Sequence, residues 1–218
     1  LYVNSQSRTE LNVNAAQHFG KAGDNILMVQ GSLMQKELDE NGDGFRDQPL
    51  SKRFNIMDRW LQRTEHRTTQ VILRYVTDLR DGGQTDAAPF GESSDGRRYA
   101  VDIENEMTDV IVKNGWILND PKKSIGILTA FRNNTLSSIY GDRNYQGAQR
   151  SAYANVVYQQ LLKGKDQIKA GASFQFDDYD EIFRQTTNDR LDLGRTERMP
   201  GLFSEYTHSS SRFTMVAG

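Results

Sequence analysis

Residues 151–180 read SAYANVVYQQLLKGKDQIKAGASFQFDDYD, and this stretch decides the fold. Its second half alternates without a miss. Ile168, Ala170, Ala172, Phe174 and Phe176 fall on one side, and Lys169, Gly171, Ser173, Gln175 and Asp177 on the other. A period of two is a strand with one apolar and one polar face. Ahead of it Ala152, Ala154, Val156, Tyr158 and Leu162 share a face, broken only by Gln160. Lys163-Gly164-Lys165-Asp166 between them is a polar turn with a glycine free to take a positive φ. The stretch predicts a long antiparallel hairpin whose strands exceed the usual five or six residues.

The same pattern extends outward. Alternation predicts strands over Arg8–Phe19, then through Leu27, Val29, Gly31 and Leu33, over Lys52–Arg63, and from Thr69 to Leu79. Asp58 falls on the apolar face of its strand beside Phe54, Ile56 and Trp60, which suggests a bulge there. Ala100–Lys113 starts with Val101, Ile103 and Met107 in phase and then shifts near Thr108. Ser124–Asn133, Thr196–His208 and Arg212–Gly218 complete ten strands. The segments Leu38–Ser51, Arg80–Tyr99, Asn134–Gln149 and Asp178–Arg195 read as long polar loops, and the connections between them as short turns. Alternating short turns and long loops along antiparallel strands describe an outer-membrane β-barrel. A soluble β-sandwich or β-helix is the competing reading, although sandwich strands are usually shorter.

Composition narrows the classes. The 218 residues carry 27 basic and 29 acidic side chains, so no nucleic-acid footprint is visible. Without cysteine, disulfides and thiolate metal sites are excluded. The mean hydropathy of −0.71 and the lack of a long apolar run exclude a transmembrane helix, but not a transmembrane barrel, whose strands average out as hydrophilic.

Little points to catalysis. His18, His66 and His208 stand apart with no motif around them, and Asp177, Asp178 and Asp180 have no loop histidine to pair with; an enzyme is not expected. The loop Asp39-Glu40-Asn41-Gly42-Asp43-Gly44-Phe45-Arg46-Asp47 holds the D-x-N-x-D-G core of a calcium loop. Asp39, Asn41 and Asp43 take positions 1, 3 and 5, and Asp47 takes position 9, but Leu50 stands where the bidentate glutamate belongs. Two readings stay open, a weak Ca²⁺ site or an Asx-rich turn.

Residue by residue, the chain resembles the barrel of a TonB-dependent outer-membrane receptor, of the type found in Bacteroidota and nearest to the cobalamin receptors. The resembling pieces are DENGDGFRDQPL (39–50), FNIMDRW (54–60), LRDGGQ (79–84), SIGI (124–127), YGDRNYQGAQRSAYANVVYQ (140–159), FQFDDYD (174–180) and RTERMPGLFSEYT (195–207), in family order. The resemblance implies an energy-coupled importer of a scarce solute such as cobalamin or a siderophore, sited in the bacterial outer membrane. It implies a barrel of about 22 strands, of which residues 1–218 are a part. The plug domain, the coupling protein TonB and a surface lipoprotein lid would lie outside this chain. In such a barrel Arg59, Arg74, Arg132, Gln175 and Glu205 face the lumen or plug, and Tyr140, Arg143, Tyr145 and Tyr179 are loop candidates for contact with ligand or lid. The alternative is a β-protein of the outer membrane that binds or supports and transports nothing.

Overall fold

The computed structural model describes residues 1–5, 7–85, 99–162, 166–185 and 189–218. The turn residues Lys163–Lys165, and the parts of two expected loops at 86–98 and 186–188, lie outside the described residues. In chain order the strands are β1 (Tyr2–Val3), β2 (Arg8–His18), β3 (Asp24–Met34), β4 (Leu50–Arg63), β5 (Arg67–Gly83) and β6 (Ala100–Ile117). They continue as β7 (Lys123–Tyr140), β8 (Arg143–Leu161), β9 (Gln167–Arg184), β10 (Arg190–Asp192), β11 (Arg195–Ser209) and β12 (Thr214–Ala217). They form one 12-stranded antiparallel sheet in which each strand from β1 to β9 pairs with the next, followed by β11 and β12, while β10 adds to the top of β9. The sheet is open among the described residues. No α-helix occurs among them.

Register carries the rest of the architecture. From Val13 the direct cross-strand partners run through Val29, Ile56, Tyr75, Thr108, Asn133 and Arg150 to Asp178. Because parity is kept along such ladders, the apolar stripes read separately from β2 to β5 and from β7 to β9 land on one face, here called the belt face. Little apolar surface is buried: among the described residues Met34, Leu38, Leu50 and Val76 are the buried hydrophobic side chains. On the belt face Leu73 is 46% exposed, Phe131 57%, Phe174 45% and Leu202 88%. A domain normally buries its apolar face against a second layer. The described residues supply none.

Three expectations are corrected. Asn134–Gln149 is not a long loop: β7 and β8 run on to a two-residue turn at Gly141 and Asp142, with Tyr140 facing Arg143. Gly141 takes φ +62, the left-handed conformation that a turn this tight demands. The strict alternation of short and long connections therefore fails at that position. Most of Asp178–Arg195 is also paired, through the end of β9 and through β10. No bulge forms at Asp58, which pairs continuously with Leu27 and Leu73. Its carboxylate instead accepts hydrogen bonds from the Asn25 amide and from Trp60 Nε1 at 2.9 Å, which lets it sit on the belt face.

The phase shift in Ala100–Lys113 has a different origin from a backbone slip. Pairing is unbroken from Ala100 to Ile117, but the apolar residues change sides. Val110 and Val112 are in the belt, whereas Val101, Ile103 and Met107 are on the opposite, polar face.

Candidate functional site

The polar face is organised around two carboxylates. The ladder Arg74, Asp109, Arg132, Ser151, Asp177 runs straight across β5 to β9, so residues distant in sequence become lateral neighbours. Asp109, 2% exposed, lies between two arginines. Arg74 Nε donates to it at 3.0 Å and Arg132 Nε at 2.6 Å. Asp177, 1% exposed, accepts from Ser151 Oγ, from Gln175 Nε2 at 2.7 Å and from Gln149 Nε2 at 3.3 Å. A hollow of about 280 Å³ lies over these groups. Every carboxylate oxygen here is met by a donor, so burial of two negative charges is compensated by paired guanidinium and amide groups.

A second cluster lies higher on the same face. Tyr145 Oη donates to Glu181 at 2.7 Å. Arg195 pairs with Glu181 and with Glu197, the latter at 2.8 Å, while its guanidinium lies 4.0 Å from the centre of the Tyr179 ring. Tyr145 reaches Glu181 by lying across Gly147, where a Cβ would come within 2.5 Å of the phenol oxygen. Lower down, Lys169 Nζ meets Glu205 at 2.9 Å.

Arg59, Arg74, Arg132, Gln175 and Glu205 all have the parity of the polar face. Arg74 and Arg132 are brought together by Asp109. Arg59 stands apart, beside a separate hollow of about 430 Å³ with His18, Asp24 and Asn25. Tyr140, Arg143, Tyr145 and Tyr179 belong to strands rather than loops, again with polar-face parity. Among the described residues Asn55 Oδ1, Arg59 Nε and Asn155 Oδ1 are buried atoms with no partner, and all three are on this face. The organising residues Asp109 and Glu181 escaped the sequence reading because the alternation fades where they lie; a charge-pairing search between consecutive strands would have matched Asp109 to Arg74 and Arg132.

No family model, curated protein or solved structure matches this chain. The site is therefore read from its own geometry.

The loop 35–49 is closed by Asx-type bonds. Asp39 Oδ2 accepts from Gly44 N–H at 2.9 Å, Asp43 Oδ1 from Phe45 N–H at 2.9 Å, Asn41 Oδ1 from Asp43 N–H at 3.1 Å, and Asp47 Oδ2 from Glu40 N–H at 2.7 Å. Among the described residues no group of three or more His, Cys, Asp or Glu side chains converges as a metal site. The loop is anchored by Arg46, whose guanidinium pairs with the buried Asp81 and with Glu37 at 2.9 Å. The histidines stay apart: His18 pairs with Asp24 at 2.7 Å and His208 with Asp166 at 2.8 Å.

Proposed function

We propose that this chain is part of the wall of an outer-membrane β-barrel, and that the barrel is a TonB-dependent importer of a scarce chelated solute such as cobalamin or a siderophore. One observation carries the reading: a single sheet without a second layer exposes an apolar belt on one face and holds a satisfied polar network on the other. Hydrocarbon on the belt side and protein or water on the polar side account for both.

The slope of the belt supports it. Its centre is near Val13 on β2 and near Ala172 on β9, yet the ladder from Val13 arrives at Asp178. The belt therefore drifts by about six residues over about seven strand spacings, or roughly 20 Å along the strands against roughly 34 Å across them. That corresponds to a tilt of about 30°, close to the 35–45° of transmembrane barrels. Aromatic side chains border the belt on both sides and follow the same slope. Tyr206, Tyr158, Trp116 and Trp60 mark one border, and Phe176, Phe131, Tyr75 and Phe54 the other. Such girdles belong at the two membrane interfaces.

The importer half of the reading rests on the resembling segments and on the polar face. Unpartnered buried atoms at Asn55, Arg59 and Asn155 call for a further donor or acceptor, which a plug within the lumen would supply. Detergent extraction followed by gel electrophoresis with and without boiling tests the barrel. The expected result is extraction by detergent alone and a mobility shift on boiling; a soluble monomer in plain buffer overturns it. Energy-dependent uptake of cobalamin or a ferric siderophore by cells with and without the intact gene then separates an importer from a wall that transports nothing.

A further inference from the structure

On the belt face, Arg150 on β8 directly above the apolar border and Arg198 on β11 level with it are both exposed. Among the described residues neither side chain forms a hydrogen bond or ion pair. On β9, the strand between them, Asp178 is opposite Arg150 and Phe176 opposite Arg198, and one oxygen of Asp178 already accepts from Thr196 Oγ1 at 2.9 Å. Two arginines against one engaged carboxylate leave the edge nearest the belt cationic, although Asp180 is the next residue above Asp178 on that face. The acidic side chains Asp180, Glu104 and Glu106 are farther up the same face. Below Arg150, Ala152 and Ala154 form a low track along β8, with Phe174 and Phe176 of β9 on one side and Phe131 of β7 on the other. An unpaired guanidinium at the edge of hydrocarbon meets one chemistry above all others, a phosphate attached to an acyl chain.

We propose that Arg150 and Arg198 hold the phosphate of an anionic lipid, with an acyl chain of that lipid lying along Ala152 and Ala154. The inference rests on the barrel reading and adds to it a defined lipid contact on the outer wall. The phosphate is bound at a fixed height by the belt, so the lipid also sets how deep this side of the wall sits.

Native mass spectrometry of the full chain in detergent micelles tests the proposal, with dioleoyl phosphatidic acid and dioleoyl phosphatidylcholine titrated separately. Adducts with phosphatidic acid are expected, and the double variant R150Q/R198Q should bind it about thirtyfold more weakly, at about 1 kcal/mol per arginine and 1.4 kcal/mol per decade. R53Q, which removes an arginine from the polar face, should bind as the unaltered chain does. Equal binding of the two lipids, or unchanged binding by the double variant, overturns the proposal. So does displacement of the lipid by inorganic phosphate at equal concentration, which would make free phosphate the ligand. R198Q alone, expected to lose about fivefold, serves if the double variant fails to show the boiling shift. A chain that needs no detergent would instead overturn the barrel reading itself.

Discussion

Asp109 serves two guanidinium groups, and removing its charge leaves Arg74 and Arg132 without a counter-ion on one face. Breaking a buried pair costs about 3–5 kcal/mol, but these arginine side chains are 36% and 46% exposed, so water takes up part of the loss. Asp109→Asn should cost about 2–3 kcal/mol by urea unfolding in micelles. Gly147 acts by what it lacks. Gly147→Ala would push Tyr145 away from Glu181 and should cost about 1.5–3 kcal/mol, the range of a hydrogen bond to a charged group. On a Tyr145→Ala background the same change should cost little, since the ring it meets is gone; an undiminished cost in that cycle would refute the contact. Asp166, in the turn after β8, titrates outside the belt. The Tyr206 hydroxyl, donating at 2.8 Å, is the largest of the contacts that hold its carboxyl below the usual range, and Ser209 N–H and His208 add to it. A depressed carboxyl stabilises the fold above its unfolded pKa of about 3.9 and loses that contribution as pH falls through the folded value. Protection of the amides in 209–213, taken relative to their intrinsic exchange rates, should therefore fall as pH drops below about 4, and Asp166→Asn should abolish that dependence.

Parity is what the strands transmit. Ala172 and Ser173 are neighbours in sequence but occupy opposite faces. Ala172→Arg should cost roughly 2–4 kcal/mol in lipid if it is near the midplane, and Ser173→Arg far less. Equal damage from both, measured by unfolding in vesicles, would refute the orientation. The belt was legible in the sequence because apolar surroundings on one face of a sheet and polar surroundings on the other impose a period of two. Above the belt that pressure ends. Asn133, Thr135 and Ser137 face one way and Asn134, Leu136 and Ser138 the other, with no apolar side to distinguish them. From Asn134 on these residues looked like loop, yet their backbones pair to the last residue before Gly141. The polar network suffered the same fate: Asp109 directly follows Thr108, where the alternation changes face. Backbone pairing holds what side-chain pattern no longer announces.

Among the described residues the sheet has two free margins, at β1 and β12. In the proposed barrel each backbone group left unpaired in hydrocarbon would cost several kcal/mol, so that reading calls for further strands paired to both margins. Intact mass and native size of the protein from its own membrane should correspond to a species several times the 24.8 kDa of these residues, and a closed native species of 24.8 kDa would refute this. The wall is also uneven in height. β2, β3 and β4 end close above the belt, whereas β6 to β9 continue for about eight residues, or roughly 25 Å along the strand, past Val110, Phe131, Ala152 and Phe176. That tall part is held by main-chain bonds that do not depend on which side chains are present. The side chains of that tall part could therefore be exchanged one by one, and the same palisade would stand.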